Sequence, residues 1–239
     1  MAAAATSEIG AAHFLRYHDA VMNCIVTAGP TCEPMDEVRR LTNFSTGRLG
    51  TELANFLTGR GHRVTLLVGQ LATYNGERRA HRVEAFTTTA HLRDLLRGLS
   101  AEGVEAVFHA AAVSDFGFGK IWLRSPQGEL TELKARKITT RQGTLLAELT
   151  PTPKIIAELR AWYPGAKLVG WKYEADGNRA AAVEAAESQM AKCLTDACVA
   201  NGPAYGEGFG LVTGPKKCQH LPAAAALFEE LDKLLQAAA

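Results

Sequence analysis

Short apolar segments alternate with amphipathic segments along most of this 239-residue chain. The apolar segments have the length of buried strands, and the amphipathic ones show the spacing of helices that bury one face. The predicted strands are NCIVTAG (23–29), HRVTLLVG (62–69), VEAFTT (83–88), VEAVFHAAAVSDF (104–116, with a loop from Ser114), AKLVGWKYE (166–174) and TDACVANG (195–202). The predicted helices are GRLGTELANFLTGRG (47–61), AHLRDLLRGLS (90–100), PTPKIIAELRAWYP (151–164), NRAAAVEAAESQMAKCL (178–194) and LFEELDKLLQAAA (227–239). This alternation predicts an α/β fold with a Rossmann-like parallel sheet and helices on both faces.

Residues 117–149 interrupt the alternation. The stretches KIWLRS and ELTELKA flank a turn at Pro126–Gly128, which predicts a β-hairpin. We expect an arm that projects from the sheet. It is either an ordinary solvated hairpin or a functional element, namely a dimerisation arm or a flap over a site.

Composition excludes several classes of protein. A net charge of +1 gives no sign of a nucleic-acid-binding surface, and no apolar run is long enough to span a membrane. Residues 1–22 lack the features of a secretory signal, and we interpret them as an N-terminal extension before a single domain at 23–239. The five cysteines form no CxxC pair, and their odd number argues against a disulfide framework. We expect reduced thiols in a cytoplasmic protein.

Small and polar residues follow several predicted strands, in AGPT, AAAVSD, GWKYE and VANG. Ligands of parallel sheets bind at the carboxyl ends of the strands, where these four stretches would meet. The segment LTNFSTGRLG also begins a predicted helix there, and helix N-termini bind anions. Ser45 or Thr46 could equally be a simple N-cap. Gly50 is interpreted as allowing close packing of helix on sheet.

Two features of dehydrogenases are absent or broken. No G-x-G-x-x-G follows the first strand directly, although dinucleotide-binding folds of the usual kind place it there. The segment YPGAK gives Tyr163 and Lys167 the YxxxK spacing of short-chain dehydrogenases, but Pro164 and Gly165 predict a turn between them. An NAD(P)-dependent oxidoreductase is therefore kept only as an alternative function.

The block TAGPTCEPMDEVRRLTNFSTGRLG resembles the opening of phosphopantothenoylcysteine synthetases, also called phosphopantothenate–cysteine ligases. Their pattern is TxGGTxxPxDxVRxxxNxSSGxxG. The later segments AAAVSDF, KITT, TPTPKII, LVGWKYE and VANG resemble further motifs of that family in the same order. The resemblance covers positions 23 to about 235.

The resemblance implies an enzyme of coenzyme A biosynthesis that joins 4′-phosphopantothenate and L-cysteine. CTP or ATP, with Mg²⁺, would convert the phosphopantothenate carboxylate to an acyl-nucleotidylate and release pyrophosphate, and the cysteine amine would then form the amide. The family also implies a homodimer. The segment before the domain is too short for the flavin-dependent decarboxylase fused to many bacterial members, so we expect a free-standing ligase without flavin. A non-catalytic nucleotide-binding relative is a further alternative.

The resemblance also assigns roles to particular residues. It implies that Asn43 contacts the substrate carboxylate or the acyl intermediate, and that Lys137 of KITT stabilises phosphate charge or the intermediate. In an alternative alignment Lys120 takes the role of Lys137. Asp115 is the one candidate metal ligand, or else it binds the ribose. The nucleotide-binding residues implied are Gly29, Ser45, Thr46, Gly47, Arg48, Ala111, Ala112, Asp115, Phe116, Trp171, Lys172 and Asn201.

The chain departs from the family pattern at three places. Pro30 replaces a glycine and removes one backbone N–H from the expected anion site. KITT keeps only the first lysine of a motif that carries further lysines in many bacterial members, and VANG replaces VAND. These departures leave the choice between CTP and ATP open.

Overall fold

The computed structural model describes residues 21–133 and 143–236. The strands in these ranges are β1 (Asn23–Ala28), β2 (Cys32–Pro34), β3 (Arg40–Thr42), β4 (Arg63–Gly69), β5 (Arg82–Phe86), β6 (Ala106–His109), β7 (Phe116–Arg124), β8 (Leu130–Glu132), β9 (Thr144–Pro151), β10 (Lys167–Tyr173), β11 (Ala197–Asn201), β12 (Phe209–Gly214) and β13 (Lys217–Leu221). The helices are α1 (Arg48–Gly59), α2 (Thr89–Leu99), α3 (Ile155–Trp162), α4 (Arg179–Cys193) and α5 (Ala224–Gln236). None of the helices in these two ranges is long and apolar enough to cross a membrane.

The main sheet has eight strands in the order β13-β12-β11-β10-β6-β1-β4-β5. All neighbours from β11 to β5 pair in parallel, whereas β12 and β13 add an antiparallel edge. The chain runs from β1 outward to β5, then returns to the other side of β1 at β6. The strand order therefore reverses between β1 and β6, which is where α/β sheets open a crevice for ligands.

Helices cover both faces of the sheet, so the predicted fold class is confirmed. Helices α1 and α5 bury leucines such as Leu53, Leu57 and Leu231 against one face of β1, β4 and β6. Helices α2 and α3 pack Leu92, Leu96 and other apolar residues against the opposite face. Helix α4 covers β11 and β12 through small side chains, including Ala182 and Ala186. This close approach explains why its sequence is rich in alanine.

The predicted arm is a three-stranded antiparallel sheet in the order β8-β7-β9. Strands β7 and β8 form the predicted hairpin, and Gly128 takes the left-handed conformation in its turn (φ 92°). Strand β9 pairs antiparallel with the other edge of β7. The chain therefore leaves the main sheet along β7 and returns beside it along β9. Residues 134–142, which include Lys137, lie outside the described residues, as do residues 1–20 of the predicted extension.

Candidate active site

A cleft of about 660 Å³ opens at the carboxyl ends of β1, β6, β10 and β11. Its walls come from the loop before α1, the loop between β6 and β7, the start of α3, and the ends of β10 and β11. The topological switch between β1 and β6 lies at its floor. The cleft therefore occupies the position at which ligands bind in sheets of this kind.

Glycines bring the start of α1 onto the end of β1. Gly47 is the N-cap residue and has φ 78°, a left-handed conformation that favours glycine. A Cβ atom at Gly47 would lie 3.0 Å from the Cβ of Ala72 and 3.3 Å from the backbone of Gly29. Glycine cannot cap the helix with a side chain, and the Thr46 hydroxyl accepts instead from the backbone N–H of Arg48 at 3.2 Å. This α1 start lines the cleft, where its positive dipole end favours an anion.

Pro30 joins the loops that follow β1 and β6. It forms an isolated parallel bridge with Ala112, whose N–H donates to Gly29 O at 2.9 Å. The N–H of Thr31 donates back to Ala112 O at 3.1 Å. Proline costs no hydrogen bond at its position, because the residues on either side make the bonds that hold the two loops together.

Asn43 reinforces the same junction. Its Nδ2 donates to the carbonyl oxygens of Ala112 and Val113, at 3.2 and 3.1 Å. Because two carbonyls face the nitrogen, the amide orientation is fixed and Nδ2 is occupied. The family resemblance implies that Asn43 contacts the substrate carboxylate or the acyl intermediate. In the described geometry it positions the β6–β7 loop, and its Oδ1 is the atom left for a ligand.

The three described cations that line the cleft each contact a carboxylate. Lys154 Nζ lies 2.9 Å from Asp115 Oδ1, Arg48 Nε lies 2.8 Å from Glu52 Oε1, and Lys172 Nζ lies 2.9 Å from Glu174 Oε1. Lys154 and Asp115 are both largely exposed, so their pair is worth little. Incoming phosphate or carboxylate oxygens can therefore take the place of Asp115 at small cost.

Two polar atoms at the ends of β10 and β11 are buried without a partner among the described residues. They are Nε1 of Trp171, a donor, and Oδ1 of Asn201, an acceptor. Both residues line the cleft. A buried polar atom without a hydrogen bond costs free energy, which a ligand with one acceptor and one donor would recover.

Most of the residues singled out in the sequence lie around this one cleft. The lining includes Gly29, Asn43, Ser45, Thr46, Gly47, Arg48, Ala111, Ala112, Asp115, Trp171, Lys172 and Asn201. Phe116 is outside the lining and begins the arm at β7. Lys120, the alternative to Lys137, also lies outside it and has its Nζ 3.6 Å from Glu132 on the arm.

Sequence reasoning did not single out two lining residues with evident chemistry, Lys154 and His109. Lys154 follows two prolines at the predicted start of a helix near the carboxyl edge, and that position could have identified it. His109 ends a buried strand. A histidine there is more often a satisfied core residue, so the sequence carried no comparable signal for it.

The YxxxK spacing has no catalytic geometry. Tyr163 is buried beneath α2, where its hydroxyl donates to Leu96 O, and burial raises its pKa above the ordinary value. Lys167 begins β10, at the amino end of the strand, opposite to the cleft. The structure therefore gives no support to a tyrosine–lysine oxidoreductase site.

The five cysteines are all free, and four of them are buried. Burial raises the pKa of Cys24 and of Cys198 to about 12, so neither is a ready nucleophile. Within residues 21–133 and 143–236, no group of three or more His, Cys, Asp or Glu side chains is arranged to hold a metal ion.

Known proteins are similar to this chain in sequence and in fold. Coenzyme A biosynthesis bifunctional protein CoaBC of Thermococcus kodakarensis is 31% identical over 220 residues, which are 88% of this chain and 51% of that protein. The chain thus spans about half the length of the curated relative. The crystal structure of the DNA/pantothenate metabolism flavoprotein from Streptococcus pneumoniae superposes with a TM-score of 0.78 at 25% identity, covering 91% of this chain and 99% of the other.

A third similarity concerns the fold alone. A histidine-to-alanine mutant of Cab2, solved in complex with phosphopantothenate-cysteine, is 18% identical with a TM-score of 0.64 and covers 90% of this chain and 85% of its own. The family described as the DNA/pantothenate metabolism flavoprotein C-terminal domain matches residues 20–215, so the resemblance found in the sequence is confirmed. The chain belongs to this family of pantothenate-metabolism domains.

Proposed function

We propose that this protein is a ligase that joins 4′-phosphopantothenate to L-cysteine, driven by CTP or ATP, in coenzyme A biosynthesis. The family and the coenzyme A role of the Thermococcus kodakarensis relative support the class of reaction. The observation that carries the proposal is the cleft itself. An α1 start that favours anions, a lysine with an exposed partner and the two residues that carry buried unpartnered polar atoms line one cavity.

The first step brings two anions together. A carboxylate oxygen of 4′-phosphopantothenate attacks the α-phosphorus of the nucleotide, the α–β P–O bond breaks, and pyrophosphate leaves with the electron pair. The start of α1 and Lys154 supply the positive potential for this encounter, and the fixed loops hold the reactants in line. The acyl-nucleotidylate product is a far better acyl donor than the carboxylate.

The second step forms the amide. The neutral amine nitrogen of cysteine attacks the acyl carbon, the bond from that carbon to the phosphate oxygen breaks, and the nucleoside monophosphate leaves. The nitrogen then loses its proton. Ala111 and Ala112 leave room for substrate against the backbone, while Trp171 and Asn201 line the wall at the ends of β10 and β11.

Magnesium is best described as part of the nucleotide substrate. Asp115 is a single carboxylate, it is 68% exposed, and Lys154 already contacts it. This donor set does not fit a protein-held metal centre. Mg²⁺ commonly binds through substrate phosphates and water with few protein ligands, so the triphosphate can bring the ion with it.

A homodimer is also proposed, on the basis of the family and of the arm. Phe116, Leu130 and Leu149 are large apolar residues that lie exposed on β7, β8 and β9. Exposed apolar groups on one small sheet favour a second copy as their cover. Light scattering on the purified chain tests this proposal, and a monomeric mass at catalytic concentrations would contradict it.

One assay tests the ligase directly. Purified protein is mixed with 4′-phosphopantothenate, cysteine, Mg²⁺ and either CTP or ATP, and pyrophosphate is measured. We expect release that requires phosphopantothenate with at least one nucleotide. Omitting cysteine should limit release to about one equivalent per active site, because the acyl-nucleotidylate then has no acceptor.

The alternatives give different results in the same assay. Folded protein that binds a nucleotide but releases no pyrophosphate with CTP or ATP is the outcome expected of a non-catalytic relative. Binding of NAD(P) in preference to either triphosphate would favour the oxidoreductase. Either result overturns the ligase proposal.

A further inference from the structure

We propose that His109 is a further substrate-binding residue, a neutral imidazole whose Nε2–H donates a hydrogen bond to an oxygen atom of a bound reactant on the floor of the cleft. The inference rests on the proposed ligase function and deepens it. It assigns a side chain that neither the motif pattern nor the family resemblance picked out.

His109 lies at the centre of the site. It is the last residue of β6, where its register partners are Thr27 on β1 and Gly170 on β10. It is 6% exposed, yet it lines the cleft. A Cβ at position 170 would meet Ile156 and Gln189 within 3 Å, so glycine on the neighbouring strand keeps the walls beside the histidine close together.

Hydrogen bonds fix the tautomer of His109. The Oγ1 atom of Thr27 accepts from the backbone N–H of Ala111 at 3.0 Å and lies 3.1 Å from His109 Nδ1. Among the described residues, Nδ1 is the one acceptor within reach of the Thr27 hydroxyl proton. That proton therefore goes to Nδ1, and a neutral ring then carries its own proton on Nε2.

The ring is kept neutral by its surroundings. Burial, together with the smaller effect of the positive charge of Lys154, lowers the pKa of His109 to about 4. Asp115, the carboxylate nearest to Lys154, contacts that lysine instead of the histidine. At neutral pH His109 is consequently a donor without charge.

A neutral donor suits a cleft that must hold anions and then release them. Lys154 and the start of α1 already supply positive potential. An uncharged N–H orients a carboxylate, acyl or phosphoryl oxygen through a hydrogen bond. Because it carries no net charge, it does not add to the electrostatic attraction that slows release of an anionic product. The expected ligand group is therefore an oxygen acceptor on phosphopantothenate or on the nucleotide.

The tautomer is measured first, without turnover. In protein labelled with ¹⁵N-histidine, long-range ¹H–¹⁵N correlation at pH 7 should give the Nε2–H pattern for His109, assigned by its loss in His109→Gln. The same pattern should persist in Thr27→Ser, which keeps the hydroxyl, and should be lost or averaged in Thr27→Val. An Nδ1–H or a cationic ring in the wild-type protein would overturn the proposal.

Ligand titrations then identify the source of the oxygen. 4′-Phosphopantothenate and the magnesium complexes of CTP and ATP are added separately, and the His109 Nε2–H resonance is followed. A shift with one of them identifies the reactant, whereas no shift with any of them overturns the proposal. A shift in protein that never releases pyrophosphate would preserve the role of His109 as a ligand-binding residue while the ligase function fails.

Kinetics complete the test. His109→Leu should lower kcat/KM at least about tenfold, and His109→Gln, which retains an N–H near the Nε2 position, should recover part of that loss. Thr27→Val should fall between wild type and His109→Leu, and Thr27→Ser should stay within about threefold of wild type. Circular dichroism checks that each variant is folded. Wild-type kcat/KM in His109→Gln and His109→Leu would overturn the proposal.

Discussion

Asn43 joins two loops, and we predict that its loss affects catalysis more than stability. Asn43→Ala removes both hydrogen bonds to the carbonyls of Ala112 and Val113. The bonds are exposed, so unfolding free energy should fall by only about 1 kcal/mol. The β6–β7 loop would no longer be held against the start of α1, and kcat/KM should fall at least about tenfold, which corresponds to roughly 1.4 kcal/mol of barrier.

Steady-state kinetics and urea unfolding of the same preparation separate the two effects. Asn43→Asp is the matched variant. It keeps the size of the side chain but places a carboxylate oxygen against two carbonyl oxygens, so it should be no more active than Asn43→Ala. Near-normal kcat/KM in both variants would exclude Asn43 from the active site.

His109 should also make stability depend on pH. Its folded pKa of about 4 lies below the ordinary value of 6.5, so between these values the unfolded chain binds a proton that the folded chain does not. This contribution is complete above about pH 6.5 and is lost as the pH falls toward 4. Its full size is about 3 kcal/mol.

Urea unfolding of wild type and His109→Gln at pH 7 and pH 4.5 measures this contribution. Other groups titrate in both proteins, so the difference between them isolates the histidine. Wild type should lose about 2 kcal/mol more than His109→Gln over this interval. Equal losses would mean that the imidazole is not held neutral in the folded state.

The residues of the site differ in how far the sequence reveals them. Ala111 and Ala112 could be identified because they follow a strand whose carboxyl end must meet the others at one edge, and Gly47 because it begins the predicted helix at that edge. Lys154 and His109 take their chemistry from neighbours distant in the chain, Asp115 and Thr27, and no local pattern reports such a meeting. The carbonyl partners of the Asn43 amide likewise lie about seventy positions away, so no local pattern reports them either.

At the scale of elements, helix α1 offers a test of close packing against β1. A Cβ atom at Gly50 would lie 2.7 Å from Ala28 Cβ and 2.9 Å from Thr27 O, which bears out the packing role expected for this glycine. Gly50→Ala should therefore push the helix off the strand and lower unfolding free energy by about 1–3 kcal/mol. Gly59→Ala, at the open end of the same helix, meets nothing within 4 Å and should be neutral or stabilising by up to about 1 kcal/mol.

Thermal and urea unfolding of the two variants check this contrast. Because Gly50 lines the cleft near the α1 start, Gly50→Ala should also weaken nucleotide binding, whereas Gly59→Ala should not. Equal stability of the two variants would show that the helix can move away from the strand without cost.

The sequence predicted the buried parallel strands and the β7–β8 hairpin, whereas β2, β3, β9, β12 and β13 were not predicted. Strands β1, β4, β6 and β11 are apolar runs buried on both faces, which the sequence displays directly. Strand β13 reads KCQHL and is exposed over four of its five residues, so hydrogen bonds to β12 define it rather than burial. Strands β2 and β3 have three residues each, too few to show any alternation.

At the scale of the whole molecule, a buried polar cluster joins α5 to the residues that follow α1 and to the residue that precedes β1. Asp232 on α5 is 1% exposed, and its Oδ1 accepts from Nε2 of His62 at 2.7 Å. Its Oδ2 accepts from Arg60 Nε at 2.9 Å, while Nδ1 of His62 accepts from the backbone N–H of Met22. One carboxylate thus connects α5 with the end of α1 and with the segment that enters β1.

Asp232→Ala should destabilise the fold without changing the active site. The substitution leaves the His62 donor buried without its acceptor and deprives Arg60 of its buried partner, so unfolding free energy should fall by about 3 kcal/mol. That is a large share of the roughly 5–15 kcal/mol typical of a folded domain. The substrate KM values should not change, since Asp232 and His62 are not among the residues that line the cleft.

Glu229→Ala is the matched control, because Glu229 contacts Arg60 from the same helix at 3.3 Å but lies in solvent. Its removal should cost less than about 0.5 kcal/mol. Urea unfolding and KM measurements on both variants decide the matter. If Asp232→Ala lost no more stability than Glu229→Ala, the cost of burying the carboxylate would equal the gain from its hydrogen bonds. Packing of the α5 leucines would then account for the attachment of α5 to α1.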